Sequence, residues 1–268
     1  MARNRISSFL ESPRLLSLLL VGAVIWSLTS IDWGGPLFHT GGGDSALRFL
    51  LALFPPDLSP GFLGIVVAAV WQTLAFALAG MTVAVALGLP LGILASGAMA
   101  SPESRLRRPV VVGVRFLLGA MRSIHELVWA VLFVAAVGLS PLAGILALGL
   151  PYAGILGRIY ADFLVEAPEE PLLALRSSGA SAWQLLIYGR LPMCLPDLVS
   201  YTFYRFECSV RSAAILSFVG IRGIGYEIQL SLGDLLFSQV WTLLLALLAI
   251  VALVDLWSGY VRRSLLTS

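Results

Sequence analysis

Residues 166–192 read EAPEEPLLALRSSGASAWQLLIYGRLP, and the rest of the chain is organised around this stretch. It is the longest polar stretch in a strongly apolar sequence. Apolar runs of roughly bilayer-spanning length end near Val165 and restart near Leu195. A loop of this length cannot lie in lipid, because its backbone polar groups would find no hydrogen-bond partners there. We therefore expect it to lie in water or against another protein.

The centre of this stretch predicts two short helices on either side of Ser178-Gly179. Six apolar side chains along it favour a surface that docks into a groove of another protein. An amphipathic cytoplasmic hairpin lying on the bilayer explains the same spacing equally well. The six apolar residues are Leu172, Leu173, Leu175, Trp183, Leu185 and Leu186.

The composition places the chain in a membrane. Of its 268 residues, 59% are hydrophobic and 12% are charged, and the mean hydropathy is +0.93. Soluble domains carry about one-quarter charged residues. The sequence therefore predicts an all-α, polytopic membrane protein with no room for a large domain outside the bilayer.

All 17 basic residues are arginines. A P-loop needs a lysine on the nucleotide phosphates, and a Schiff-base enzyme needs a lysine amine. Neither chemistry is available, so any ATP that drives this protein must be hydrolysed by another chain. Cys194 and Cys208 would lie about 21 Å apart on one helix, which is too far for a disulfide. No metal-ligand cluster or catalytic triad stands out in the sequence.

Hydropathy predicts six spans, which puts both termini on one side of the membrane. The basic N-terminus lacks a clear cleavage site, so we expect the first span to be retained. Residues 62–99 exceed one span and fit either a helix kinked near Pro90 or an interfacial helix followed by a span. We expect an N-terminal part, residues 1–61, with the first span and a periplasmic segment, and a core over residues 62–262. The predicted spans are residues 14–31, 62–99, 109–137, 141–165, 195–218 and 235–260.

The arginines outside these spans are concentrated on one side. The opposite loops hold only Arg48 and Arg222. By the positive-inside rule, both termini and residues 166–192 are cytoplasmic. The arginines on that side are Arg3, Arg5, Arg14, Arg105, Arg107, Arg108, Arg176, Arg190, Arg262 and Arg263.

Several ionisable residues fall inside predicted spans, where each is costly if it faces lipid. Arg122 and Glu126 are four residues apart, so a continuous helix would let them form an ion pair on one face. Glu207 and Arg211 have the same spacing.

Two interpretations of these charges remain open at this stage. One is a pair of structural salt bridges, and the other is a charged lining around a path. Arg115 and Arg205 are left over after pairing, which favours an anion-tolerant path. The candidate pathway residues are Arg122, His125, Glu126, Arg205, Glu207 and Arg211.

The segment SFVGIRGIGYEI, residues 217–228, carries Gly220, Gly223 and Gly225. Glycine permits tight backbone turns and close helix approach. These three residues are candidates for a periplasmic gate or for a packing element between subunits. A simple periplasmic turn explains them equally well.

Residues 166–192 resemble the cytoplasmic coupling loop of binding-protein-dependent ABC importers, and we call them the coupling loop. The family pattern is Glu-Ala-Ala, three residues, Gly, nine residues, Ile, one residue, Leu-Pro. Gly179 and Leu191-Pro192 stand at the family's spacing, whereas Leu173 replaces the glutamate and Gly189 the isoleucine. The resemblance assigns contact with the ATPase to Ala174, Arg176, Gly179, Ala180, Leu191 and Pro192.

Over about residues 62–262 the chain looks like the permeases of phosphonate importers, whose close relatives also carry phosphite or hypophosphite. The most specific part is Tyr204-Arg205-Phe206-Glu207. His125 stands where related permeases often have proline. The similar stretches are RSIHELVWAVLFV (122–134), YGRLPMCLPDLVSYTFYRFECSVRSAAILSFVG (188–220) and GIGYEI (223–228).

This resemblance implies the fold of a type I ABC importer permease in the bacterial inner membrane. The permease would be a homodimer with its pathway at the subunit interface. It would hold no cofactor itself, because ATP and Mg would bind to a cytoplasmic ATPase dimer. A periplasmic binding protein would deliver the substrate.

Two other functions remain as alternatives. Permeases for methionine or another amino acid share the coupling loop, although the arginines of span five favour an oxyanion. A membrane-bound enzyme or a scaffold without transport is the alternative from another class, and nothing in the sequence specifically favours it.

Overall fold

The computed structural model describes residues 13–31, 42–99 and 105–266, and all regular elements in these ranges are helices. The chain divides into two compact units, Met1–Leu51 and Ala52–Ser268. The helices are α1 (Pro13–Ser30), α2 (Gly42–Leu51), α3 (Pro60–Ser96), α4 (Arg107–Ser123), α5 (Glu126–Val137), α6 (Pro141–Glu166), α7 (Glu169–Ser177), α8 (Ala182–Gln184), α9 (Leu191–Leu216), α10 (Ile224–Gly233) and α11 (Phe237–Leu266).

The six predicted spans each correspond to a described helix or to a bent pair of helices. α3, α6 and residues Phe237–Ser264 of α11 are long and apolar enough to cross a membrane. The α4–α5 pair and the bent stretch from α8 to α10 bring this number to five if each counts as one span. The remaining predicted span is the shorter apolar helix α1. The all-helical, multi-span fold class is therefore confirmed.

Residues 62–99, for which the sequence leaves two arrangements open, lie almost entirely in one helix. α3 runs without interruption from Pro60 to Ser96 and keeps Pro90 inside it. It ends at Gly97, whose φ of +67° lies in the left-handed region that glycine adopts without a Cβ penalty.

The predicted third span, in contrast, is broken. α4 and α5 meet at Ile124-His125 and are bent by 88° relative to each other. The backbone of His125 is extended, and its imidazole Nδ1 accepts a hydrogen bond from the backbone N–H of Leu127 at 3.3 Å. A side-chain cap of this kind starts a new helix. The span predicted over residues 109–137 is therefore made of two helices rather than one.

The coupling loop runs directly into the next span. A π-helical turn over Leu185–Arg190 leads into α9, which begins at Leu191, four residues before the predicted span. Both cysteines, Cys194 and Cys208, lie on this helix and are free, as the sequence predicts.

α6 is the central helix of the second unit and packs most extensively against α3. In the most apolar 18-residue stretch of each helix, 61% of α6 is buried, compared with 28% of α3 and 22% of α11. Glycines on both helices bring the two backbones together. A Cβ atom on Gly92 would lie 2.9 Å from the carbonyl oxygen of Gly157, and one on Gly149 would lie 2.8 Å from Cγ1 of Val83. Close packing through small residues is what holds helices together in lipid.

Asp57 joins the start of α3 to the start of α11. Its carboxylate accepts hydrogen bonds from the backbone N–H of Ser59 at 3.0 Å and from the side-chain amide of Gln239 at 3.1 Å. Its carbonyl oxygen accepts a third from the Thr242 hydroxyl at 3.0 Å. The hydrogen bonds from Ser59, and to a smaller extent that from Gln239, hold the pKa of Asp57 below its ordinary value.

We predict that Gly92→Ala destabilises the protein by about 1–3 kcal/mol, because the new methyl group meets a backbone carbonyl that cannot rotate away. Thermal unfolding of the purified protein in detergent measures this effect. Gly64→Ala is the matched control on the same helix, since a Cβ there meets nothing within 4 Å. Equal melting temperatures for the two variants would contradict the close α3–α6 packing.

Candidate functional site

The coupling loop folds as two short helical pieces on either side of Ser178-Gly179, which confirms that prediction. α7 ends at Ser177, and Gly179 follows with a φ of +84°. The next piece begins at Ser181, whose hydroxyl accepts the N–H of Gln184 while the Gln184 side chain accepts the N–H of Ser181. This reciprocal cap fixes where the chain turns back into helix.

The apolar side chains of the coupling loop divide into an inner and an outer set. Leu172, Leu185 and Leu186 are buried and belong to the main hydrophobic core of the protein. Leu173 and Trp183 are 51% and 53% exposed. The inner set fixes the loop to the helix bundle, and the outer set leaves two large apolar side chains for another surface.

The residues that resemblance assigns to ATPase contact have different environments. Ala174, Arg176 and Gly179 are exposed, whereas Ala180 and Leu191 are half-buried, and Pro192 is exposed at the start of α9. Their role in coupling stays a prediction.

Gly189, which stands where the family pattern has isoleucine, packs closely against α7. A Cβ atom there would lie 2.6 Å from Cδ2 of Leu172. The space that a larger side chain would need is therefore filled by one of the inner leucines.

Helix α9 carries charged or polar side chains on two faces. Tyr201, Arg205, Cys208 and Ser212 recur at helical spacing on one face, and Glu207 and Arg211 lie on the other.

The first face meets α5 and α6 in a hydrogen-bonded network. The Ser212 hydroxyl donates to Oε1 of Glu126 at 2.6 Å, and the Tyr152 hydroxyl lies 3.1 Å from the Ser212 hydroxyl. Since Ser212 uses its only proton on the carboxylate, Tyr152 is the donor to Ser212. One candidate pathway residue, Glu126, is thus joined to α9 and α6 through Ser212 and Tyr152, two residues that the sequence did not single out.

Arg205 has aromatic neighbours in place of a carboxylate. Its Nε and Nη2 groups donate to the Tyr201 hydroxyl at 2.8 and 2.6 Å. Its guanidinium carbon lies 5.1 Å from the ring centre of Tyr201 and 5.4 Å from that of Tyr204. Cation–π contacts of this kind hold a guanidinium in place without neutralising it.

The predicted ion pair between Arg122 and Glu126 does not form. The break at Ile124-His125 takes the two side chains off a common helix face, and Glu126 contacts Ser212 and His125. Nε2 of His125 lies 3.9 Å from Oε2 of Glu126. Arg122 is exposed and pairs with no carboxylate in the described ranges.

The predicted pair between Glu207 and Arg211 is also wrong. Glu207 is buried, and its Oε1 lies 2.8 Å from Nη2 of Arg262 on α11. The guanidinium of Arg262 thus pairs with this carboxylate from the neighbouring helix. Arg211 instead contacts the sulfur of Cys208 at 3.6 Å. Glu207 and Arg211 still line one cavity of about 570 Å³ between α9 and α11, together with Asp255.

Local backbone conformation or close packing explains the glycine at each of the three candidate gate positions. Gly220 has a φ of +98° at the end of a short 3₁₀ turn. A Cβ atom on Gly225 would lie 2.1 Å from the carbonyl oxygen of Ala214, so α10 packs on α9 only because this residue lacks one. Gly223 likewise lies against Ser217. A gating role for this turn stays a prediction.

The roles of Tyr152, Ser212 and Tyr201 were not predicted from the sequence, and Arg262 was predicted only as part of the basic C-terminus. Tyrosine and serine are common in spans, so no pattern distinguishes them before their neighbours are known. Within the described ranges no group of three or more His, Cys, Asp and Glu side chains could hold a metal ion.

A family model described as "Binding-protein-dependent transport system inner membrane component" matches residues 88–267. The phosphite transport system permease protein PtxC of Stutzerimonas stutzeri is 37% identical over 193 residues, which cover 72% of this chain and 68% of that protein. A second permease of the same organism, HtxC, whose name also refers to phosphite transport, is 32% identical over 259 residues, or 96% of this chain and 87% of its own length.

The fold is also found in a solved structure. A chain of the inward-facing MetNI methionine ABC transporter superposes with a TM-score of 0.68 at 24% identity, covering 78% of this chain and 99% of that one. At this identity the likeness concerns the fold. The family match and the identity to PtxC show that the chain belongs to the inner membrane components of binding-protein-dependent transport systems, and is therefore a multi-pass ABC importer permease rather than a catalytic subunit.

Proposed function

We propose that this permease moves phosphite, hypophosphite or a phosphonate across the bacterial inner membrane. Two relatives of at least 32% identity are phosphite transport permeases by name, and they match most of this chain. The observation that carries the proposal is Arg205, a membrane-embedded cation that is held by two tyrosines and paired with no carboxylate in the described ranges.

The Arg205 face of α9 is the better candidate for the pathway lining. Its guanidinium keeps its charge and has N–H donors beyond the two that Tyr201 accepts. Guanidinium groups bind phosphorus oxyanions through paired hydrogen bonds. The opposite face is neutralised by the Glu207–Arg262 ion pair, which favours a structural role for it.

Moderate attraction suits a permease better than tight binding. An oxyanion that is held too strongly would leave the pathway slowly. A single guanidinium already engaged with two tyrosine rings provides attraction without a closed binding site. Selection among oxyanions then belongs mainly to the binding protein.

Coupling to ATP hydrolysis follows from the two sets of side chains on the coupling loop. The exposed Leu173 and Trp183 would lie in a cleft of the ATPase, which binds ATP and Mg. The buried Leu172, Leu185 and Leu186 would pass the movement of the loop to the bundle, because they are packed in the same core as α6 and α9.

The assembly that fits this mechanism is a homodimer on an ATPase dimer. A periplasmic binding protein would deliver the substrate at the end of the bundle opposite the coupling loop. The arginine distribution supports cytoplasmic termini. The turn that holds Gly220, Gly223 and Gly225 lies at the proposed outer end and is the candidate gate.

We predict that Gly179→Val uncouples ATP hydrolysis from uptake. A left-handed backbone costs an L-residue about 1–2 kcal/mol, and more for a β-branched one, so the turn of the coupling loop would change shape. The ratio of substrate imported to ATP hydrolysed in proteoliposomes is the measurement. Gly233→Val is the control, since a side chain there also meets nothing within 4 Å but needs no positive φ. Unchanged coupling in Gly179→Val would argue against this role of the loop.

We predict that Arg205→Gln lowers phosphite uptake by about tenfold, because a charge-assisted interaction with the oxyanion is lost. Arg205→Lys should retain part of the activity, since it keeps the charge. Uptake is compared at equal amounts of folded protein, with Arg48→Gln as an exposed arginine control. Full uptake by Arg205→Gln would remove Arg205 from the pathway and leave it a structural role.

A further inference from the structure

A second cationic site lies at the cytoplasmic end of the bundle, behind the coupling loop. A cavity of about 420 Å³ separates α7 and the π-helical turn from the end of α3. Small-molecule sites have volumes of about 300–1,000 Å³. The charged groups that line it are Arg107, Arg176, Arg190 and Glu169.

The three arginines come from three different elements. Arg107 begins α4 and packs over Gly97 at the end of α3, where its Nε lies 3.1 Å from the position that a glycine Cβ would take. Arg176 lies in the last turn of α7. Arg190 ends the π-helical turn. A group bound between them would therefore join the coupling loop to the bundle.

Most of the donors of these arginines have no acceptor among the residues that the structure describes. Nη1 of Arg190 donates to the carbonyl oxygen of Leu164 at 2.6 Å. Within the described residues, neither Arg107 nor Arg176 makes a hydrogen bond or an ion pair, and Glu169 pairs with none of the three arginines. Since each guanidinium has five N–H donors, the cavity offers many more donors than the described residues satisfy.

The charges of the residues that line the cavity are also unbalanced. Arg176 and Arg107 both repel the charge of Arg190, and Glu169 opposes them as the one carboxylate among the lining residues. The charged lining residues that the structure describes, three cations and one anion, give the cavity a net positive charge. An anion with several oxygens relieves this repulsion and can accept hydrogen bonds from more than one guanidinium at once.

We propose that this cavity binds a phosphate-type oxyanion, which bridges Arg107 of the bundle to Arg176 and Arg190 of the coupling loop. The bound group stiffens the connection through which the loop moves the bundle. The proposal goes beyond the transported substrate, since Arg205 is not among the residues that line this cavity. Two sources carry the same chemistry: a free oxyanion in the cytoplasm and the headgroup of an anionic lipid.

Binding of radiolabelled inorganic phosphate to the purified full chain in phosphatidylcholine nanodiscs tests the proposal. We expect saturable binding that Arg176→Gln and Arg107→Gln each weaken by about tenfold. Arg108→Gln, an exposed neighbour that does not line the cavity, should leave the affinity unchanged. The same titration with Arg205→Gln separates this site from the transport pathway, because that variant should keep the phosphate binding that depends on Arg176.

Nanodiscs that contain phosphatidylglycerol identify the source. If this lipid competes with phosphate in the wild type but not in Arg176→Gln, the headgroup occupies the cavity; if it does not compete, the free oxyanion does. The proposal is overturned if neither ligand binds saturably, or if Arg108→Gln weakens binding as much as Arg176→Gln. The proposal is also overturned if no oxyanion binds and Arg176→Gln loses its association with the ATPase. The cavity would then take an acidic side chain of the ATPase.

Discussion

The glycine-lined contact between α3 and α6 is the interaction on which the rest of the structure depends. In lipid there is no hydrophobic driving force for helices to associate, so close packing holds the bundle together. Gly92 and Gly157 bring the two backbones together, and α6 becomes the buried centre. The coupling loop begins where α6 ends, and its inner leucines pack into the same core. The coupling loop therefore shares one hydrophobic core with the α3–α6 pair.

The second constraint is the cost of charge inside the membrane. The protein meets it in two ways on the two faces of α9. Glu207 is neutralised by Arg262 from α11, and this pair is internal to the bundle. Arg205 is surrounded by tyrosines and keeps its charge. A membrane-embedded cation of this second kind costs free energy and usually has a function. Attraction of an anionic substrate is such a function.

Much of the fold could be predicted from the sequence, because apolar spans and glycine turns depend on nearby residues alone. The six apolar stretches and the turn at Gly179 needed no knowledge of neighbours. The break at His125 could not be predicted in the same way, since the charges of Arg122 and Glu126 on either side of it fit an ion pair on a continuous helix equally well. The partner of Glu207 was missed for a related reason. Helical spacing points to Arg211, but Arg262 is 55 residues away and only tertiary packing brings it close.

ATP-dependent uptake of radiolabelled phosphite tests the central claim most directly. The permease is reconstituted in proteoliposomes with its ATPase subunit and its binding protein. We predict uptake that requires both partners, that phosphonate or hypophosphite inhibits by competition, and that methionine does not affect. Methionine uptake without any transport of a phosphorus oxyanion would contradict it.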